Sequence, residues 1–144
     1  MTSTSTLKTL TETVYDSVEG YRLAIDKAES TKLKEALSER LERRMETLEA
    51  MNDELERQGG QVVAKGTTTG DLHRMWLRIA DLFESGDEAA AERVEEGEEY
   101  LADKFATALE EEDLDPETRT VLEECYEEVQ EGEAFGDLLE DAYD

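Results

Sequence analysis

Apolar residues in this chain recur at steps of three and four, the spacing that keeps side chains on one face of an α-helix. Leu7, Leu10, Val14, Val18, Tyr21, Ile25 and Ala28 form the first such stripe and predict a helix over about residues 5–28. Ser30, a residue type suited to an N-cap, opens a second pattern over 31–58 that stops at Gly59-Gly60. A third long helix is expected over 87–111, capped by Asp87. A fourth is expected over 116–142, with Asp115 at the N-cap and Pro116 at the first helical position. Between the second and third, Gln61 to Gly70 reads as loop, and Leu72, Met75, Trp76, Ile79 and Phe83 mark a shorter helix over 71–84. Nothing reads as a strand. The chain is expected to be all-α, one domain over residues 1–144.

The short turn after the first helix makes helices one and two an antiparallel hairpin. Helices of these lengths are rods of roughly 36–42 Å at 1.5 Å per residue. The connection between helices two and three is too long for a tight turn and has the reach to travel the bundle's full length. A long helix-containing crossover at this point is the mark of a ferritin-like four-helix bundle, which is the expected fold. An up-and-down bundle with an added cap helix is the alternative.

Two of the stripes are interrupted by charge. The second helix reads Leu37, Leu41, Arg44, Leu48, Met51, Leu55, and the third reads Ala91, Val94, Glu98, Leu101, Phe105, Ala108. Burying an unpaired charge is costly, so Arg44 and Glu98 on core faces predict a paired polar layer. Both lie near the middle of their helices, as does Glu128 on the fourth, while Glu19 lies a little past the middle of the first. Midpoints of similar helices coincide whichever way each runs, so Arg44, Glu98, Glu19 and Glu128 are expected to share one layer.

A layer of this kind has two uses. It is structural, or it is a di-metal centre, which needs a Glu from each of two helices and Glu-x-x-His from each of the other two. The lone histidine, His73, sits on the crossover, and Arg44 takes the space a cation needs. No metal is therefore expected; were one held, Glu19, Glu98 and Glu128 would be its ligands and Fe or Mn the ion. The crossover run Leu72-His73-Arg74-Met75-Trp76 reads as Trp76 sealing the bundle, with His73 and Arg74 at the helix start; the alternative makes His73 a proton or metal ligand. No nucleophile–base set, phosphate-cradling glycine loop or metal-spaced Cys/His cluster is present, which weighs against a hydrolase or transferase.

Charge changes the picture most. Asp and Glu number 40 against 15 Lys and Arg, a formal net charge of −25, spread along the whole length. Self-repulsion at this density calls for screening, and the Debye length falls to about 3 Å at 1 M salt. Dispersed carboxylates suit a halophilic surface; a nucleic-acid mimic or a divalent-ion reservoir is the functional alternative. A basic face for nucleic acid is missing. Cys125, the single cysteine, excludes an internal disulfide and falls on an apolar face, as a buried thiol would. No apolar run approaches the roughly 18 residues of a membrane span, and the N-terminus lacks a signal-peptide core, so a cytoplasmic location is expected.

Taken together, Gly20-Tyr21, Arg44, Gly59-Gly60, Leu72-His73-Arg74 with Trp76, Gly97-Glu98-Glu99, Asp115-Pro116 and Tyr126 resemble a prokaryotic family of ferritin-like four-helix-bundle proteins classed as a domain of unknown function. The resemblance covers about Leu7 to Phe135. The Leu-His-Arg-x-Trp and Gly-Glu-Glu runs are its specific features. Members of that family often carry a His-Asp pair late in helix four, where this chain has Glu133-Ala134, a departure that removes a histidine ligand. The resemblance implies the fold and little of the activity. The expected role is a non-catalytic helical module acting through homodimerisation or a protein partner. The alternative is a carboxylate-rich ferritin-type Fe or Mn protein.

Overall fold

The computed structural model describes residues 2–64 and 86–143, with side chains from Thr4 onward. Four helices, α1 (Thr2–Lys27), α2 (Thr31–Arg57), α3 (Gly86–Leu109) and α4 (Pro116–Tyr143), account for nearly all of them, and no strand occurs among the described residues. The chain is all-α. The expected crossover helix over 71–84, with His73, Arg74 and Trp76, lies outside the described residues.

Local chemistry sets the helix ends. Ser30 has extended φ/ψ and its Oγ accepts from the Leu33 amide at 3.3 Å, satisfying one of α2's orphan donors. At the other end Gly59 takes φ +82°, a conformation open to glycine, and the Gly60 amide returns to the Leu55 carbonyl at 2.8 Å. Asp115 caps α4 by accepting from the Thr118 amide at 3.2 Å, with Pro116 in the first turn. Asp87 behaves differently from the cap expected of it. Gly86, the first described residue here, is already helical, and the Asp87 carboxylate accepts from the amides of Glu29 and Ser30 at 2.6 and 3.1 Å. It fastens the α1–α2 turn instead of its own helix.

These contacts fix the directions. The start of α1 meets the end of α3 where Thr6 donates to Glu111, and meets the end of α2 where Thr4 donates to Gln58. Gln58 also donates to Thr118 at the start of α4. At the far end, the start of α3 lies against the Lys27 carbonyl that closes α1. So α1 and α4 run one way, and α2 and α3 the other. Around the bundle α1 neighbours α2 and α3, and α4 neighbours the same two. Thus α2 stops at the end where α1 starts, and α3 starts at the end where α1 stops.

The apolar interior falls into two clusters. One joins Leu7, Leu10, Val14, Met51, Leu55, Leu101, Phe105, Leu122 and Val129 towards the start of α1. The other joins Ala24, Leu33, Leu37, Ala90, Ala91, Val94 and Leu139 towards its end. Between them lies a layer of polar side chains.

Candidate functional site

Among the described residues Arg44 is the bulkiest side chain that the fold encloses completely, and its position follows from the α2 stripe: one residue of that stripe carries charge, so folding carries the charge inward. A guanidinium presents five N–H donors in a rigid planar fork. All five find acceptors here. Nε donates to Glu128 Oε1 at 2.8 Å, and the two Nη atoms donate to Glu98 Oε1 and Oε2 at 2.7 and 2.8 Å. The remaining two hydrogens go to Ser17 Oγ at 2.5 Å and Glu128 Oε2 at 3.2 Å. Arg44 thus ties α2 to α1, α3 and α4 at once.

The carboxylates are as fully engaged. Glu98, also wholly buried, accepts a bidentate pair from Arg44 and a third bond from the Tyr21 hydroxyl at 2.9 Å. Glu128 accepts from Thr47 Oγ1 at 2.7 Å and from Arg40 Nη2 at 2.5 Å, besides Arg44. Arg40 bonds the Glu128 carbonyl as well, at 3.0 Å. Two guanidinium groups face two carboxylates, Glu98 wholly buried and Glu128 largely so, and the four groups are formally neutral. The Tyr21 ring lies beside the charge, its centroid 5.7 Å from Arg44 Cζ.

Space for the layer comes from α4. A Cβ on Gly132 would overlap the Glu98 carboxylate and the Arg44 guanidinium, so the residue there can only be glycine while the layer stands as it does. Electrostatics agree with the geometry. Burial acts to lower the Arg44 pKa, but Glu98 and Glu128 outweigh it and hold the group well above the ordinary arginine value. Burial acts to raise Glu128, and Arg44, Thr47 and Arg40 outweigh it, so this carboxyl sits below the usual range. Tyr21 is pushed well up by burial and by Glu98.

Of the four residues expected in the layer, the structure brings Arg44, Glu98 and Glu128 together and leaves Glu19 out. Its side chain is 48% exposed and pairs on the surface with Arg22 at 3.7 Å. The contribution of α1 is Ser17 and Tyr21, on either side of the inward-facing Val18. Arg40, Thr47, Ser17 and Tyr21 were not expected as members. Tyr21 lies on the apolar stripe and Arg40 one turn before Arg44, the two signals by which they were findable.

The family model for the domain of unknown function DUF2383 matches residues 2–111. The chain belongs to the DUF2383 family. No curated protein and no solved structure matches it. The matched span of the DUF2383 domain takes in α1 to α3, and with them Ser17, Tyr21, Arg40, Arg44 and Glu98. Glu128 and Gly132 on α4 lie beyond it.

The layer's fit to a di-metal centre can be tested on its atoms. Such a centre needs carboxylate oxygens free to bind cations, and histidine ligands in two helices. In this DUF2383 domain every oxygen of Glu98 and Glu128 already accepts from a guanidinium, and the Arg44 fork fills the space between them. Glu19, the third ligand of the alternative reading, is on the surface. The residues present do not fit a di-metal ion pair.

A second acidic grouping lies on the α3–α4 surface. Oxygens of Glu95, Asp137 and Glu140 come within 4.8 Å of one another beside a cleft of about 220 Å³. Partial burial, then Glu140, Glu99 and Asp137, push the Glu95 carboxyl up to about 7. Cys125 is buried; desolvation, then Glu128 and Glu124, push its thiol up to about 12, which makes it a poor nucleophile.

Proposed function

We propose that this DUF2383 protein is a non-catalytic, ferritin-like helical module whose mid-bundle layer holds the helices together and whose biology is carried by its surface, through dimerisation or a protein partner. The observation that carries this is the saturation of Arg44. A site for chemistry keeps a base, an acid or a ligand position open to substrate. In this layer the five donors are spent on two carboxylates and the Ser17 hydroxyl.

The helix order supports the ferritin-like topology. An antiparallel pair α1–α2 is followed by α3 restarting from the opposite end, which asks the connection to cross the bundle's length. None of the described helices is long and apolar enough to cross a membrane. The net charge of −25 supports a surface adapted to high salt and a cytoplasmic home in a host that accumulates it.

The test has two arms, both in molar KCl. Fe(II) added to the purified protein is oxidised no faster than in buffer alone. Light scattering on the eluting protein then gives a dimer, or a monomer that changes mass when its partner is supplied. Iron oxidation above the buffer rate would refute the non-catalytic reading and restore the Fe or Mn alternative.

A further inference from the structure

We infer that the Arg44 guanidinium acts as this bundle's built-in cation: it occupies a carboxylate-lined cation site at the centre of the helices and keeps external divalent metal out. The inference deepens the non-catalytic reading and rests on it.

The geometry is that of a coordinated ion. Four carboxylate oxygens, two from Glu98 and two from Glu128, and the Ser17 hydroxyl converge on one planar cation at 2.5–3.2 Å. They come from α1, α3 and α4, with the cation delivered by α2. Buried charge is tolerated only when it is paired and hydrogen-bonded, so the two acids require a positive centre. The chain supplies that centre covalently. Oxygen-rich, carboxylate-bearing sites of this kind otherwise suit hard divalent cations such as Mn(II). Arg40 keeps one side of Glu128 neutralised, which limits the vacated space to a single ion's charge.

Truncating Arg44 therefore converts a filled site into an open one. The buried Glu98, the largely buried Glu128, a serine hydroxyl and the Tyr21 hydroxyl on Glu98 would then face a gap the size of a guanidinium. A small guanidinium from solution would restore the single positive charge that is lost, and a divalent ion would meet the same carboxylates with one charge to spare. The gap is a property of this chain's own residues, and its occupant is identified by charge and size.

The experiment compares the native protein, Glu98→Gln, Arg44→Ala, and Arg44→Ala combined with Glu98→Gln, in about 2 M KCl to suppress surface binding. Co(II) serves as the probe, followed by its visible absorption and by metal content after gel filtration. The native chain is expected to retain no Glu98-dependent Co(II). Arg44→Ala is expected to retain about one ion per chain, with affinity at least tenfold above that of the Glu98→Gln double variant. Millimolar methylguanidinium should compete for the same site and raise the melting temperature of Arg44→Ala. If that variant does not fold alone, Arg44→Gln, which keeps the length and part of the hydrogen bonding, takes its place. A folded Arg44→Ala or Arg44→Gln that gains neither Co(II) nor methylguanidinium would overturn the inference and leave the non-catalytic reading standing. Glu98-dependent Co(II) on the native chain would overturn both.

Discussion

Removing Arg44 and Glu98 singly and together measures how much the bundle depends on its layer. Arg44→Met strands the wholly buried Glu98, takes one of two guanidinium partners from the largely buried Glu128, and deletes all five bonds that the fork makes. Breaking a buried pair by deleting one partner costs about 3–5 kcal/mol, and with two acids affected the upper end applies. Glu98→Leu leaves Arg44 with Glu128 and Ser17, so its cost should sit near the lower end, about 3 kcal/mol. In the double variant Glu128 still has Arg40 and Thr47, and the desolvation penalty of the lost pair goes with it. The double should therefore recover a coupling energy of roughly 2–3 kcal/mol relative to the sum of the singles. For a domain of this size 1 kcal/mol moves the melting temperature by roughly 2–4 °C, so Arg44→Met should lower it by about 10–20 °C and Glu98→Leu by about 6–12 °C. The assay is urea unfolding followed by helical circular dichroism at fixed KCl, with equal slopes required before the values are compared. Single effects below about 1 kcal/mol that add without coupling would show that the two side chains do not depend on each other.

Gly132→Ala should destabilise by about 1–3 kcal/mol despite alanine's better helix propensity, because its methyl meets Glu98 and Arg44; an unchanged melting temperature would mean that α4 does not pack on the layer. Glu95 is raised in the fold from 4.5 to about 7, so the stability it contributes is full below 4.5 and is lost as pH rises towards 7. The melting temperature should accordingly fall between pH 5 and 8, and Glu95→Gln should flatten that slope. Glu128 and Glu54 are lowered in the fold, so their contributions are present above the ordinary carboxylate range and disappear as pH falls below it; a stability that kept rising down to pH 3 would contradict both. Cys125 should react with a thiol reagent only on unfolding. Melting temperature should climb between 0.1 and about 2 M KCl as self-repulsion is screened, and a flat profile would remove the halophilic reading of the surface.

The helix ends were legible because capping is local chemistry: Ser30, Gly59 and Asp115-Pro116 each act within a few residues of themselves. Asp87 was misjudged for the opposite reason. Its carboxylate is used by a turn 57 and 58 positions away in sequence, which no local pattern encodes. Arg44, Glu98 and Glu128 were findable as polar intruders near helix midpoints. Midpoint reasoning gives the level of a residue along the axis but not its direction around it. Successive helical residues point about 100° apart, so Glu19, one step past the buried Val18, faces solvent while Ser17 and Tyr21 face the layer. On α2 the inward face is likewise turned from the leucine stripe: Thr47 is buried, whereas Leu41 and Leu48 are only partly so. Polar groups that bond each other change which face a helix turns inward, and hydropathy alone does not register this.

The five-bond fork also works as a vernier. A stripe of leucines tolerates sliding, because a helix displaced by one turn, about 5.4 Å, exchanges one aliphatic contact for another. A lean core with two separate apolar clusters would offer several such near-equivalent alignments. Arg44 admits one. Displacing α2 by a turn takes the guanidinium away from Glu98, Glu128 and Ser17 together, and breaks the bonds of Arg40 and Thr47 to Glu128 in the same step. Because the acceptors sit on the three other helices, one side chain sets the axial alignment of all four, and the keyhole at Gly132 lets α4 close on that alignment alone.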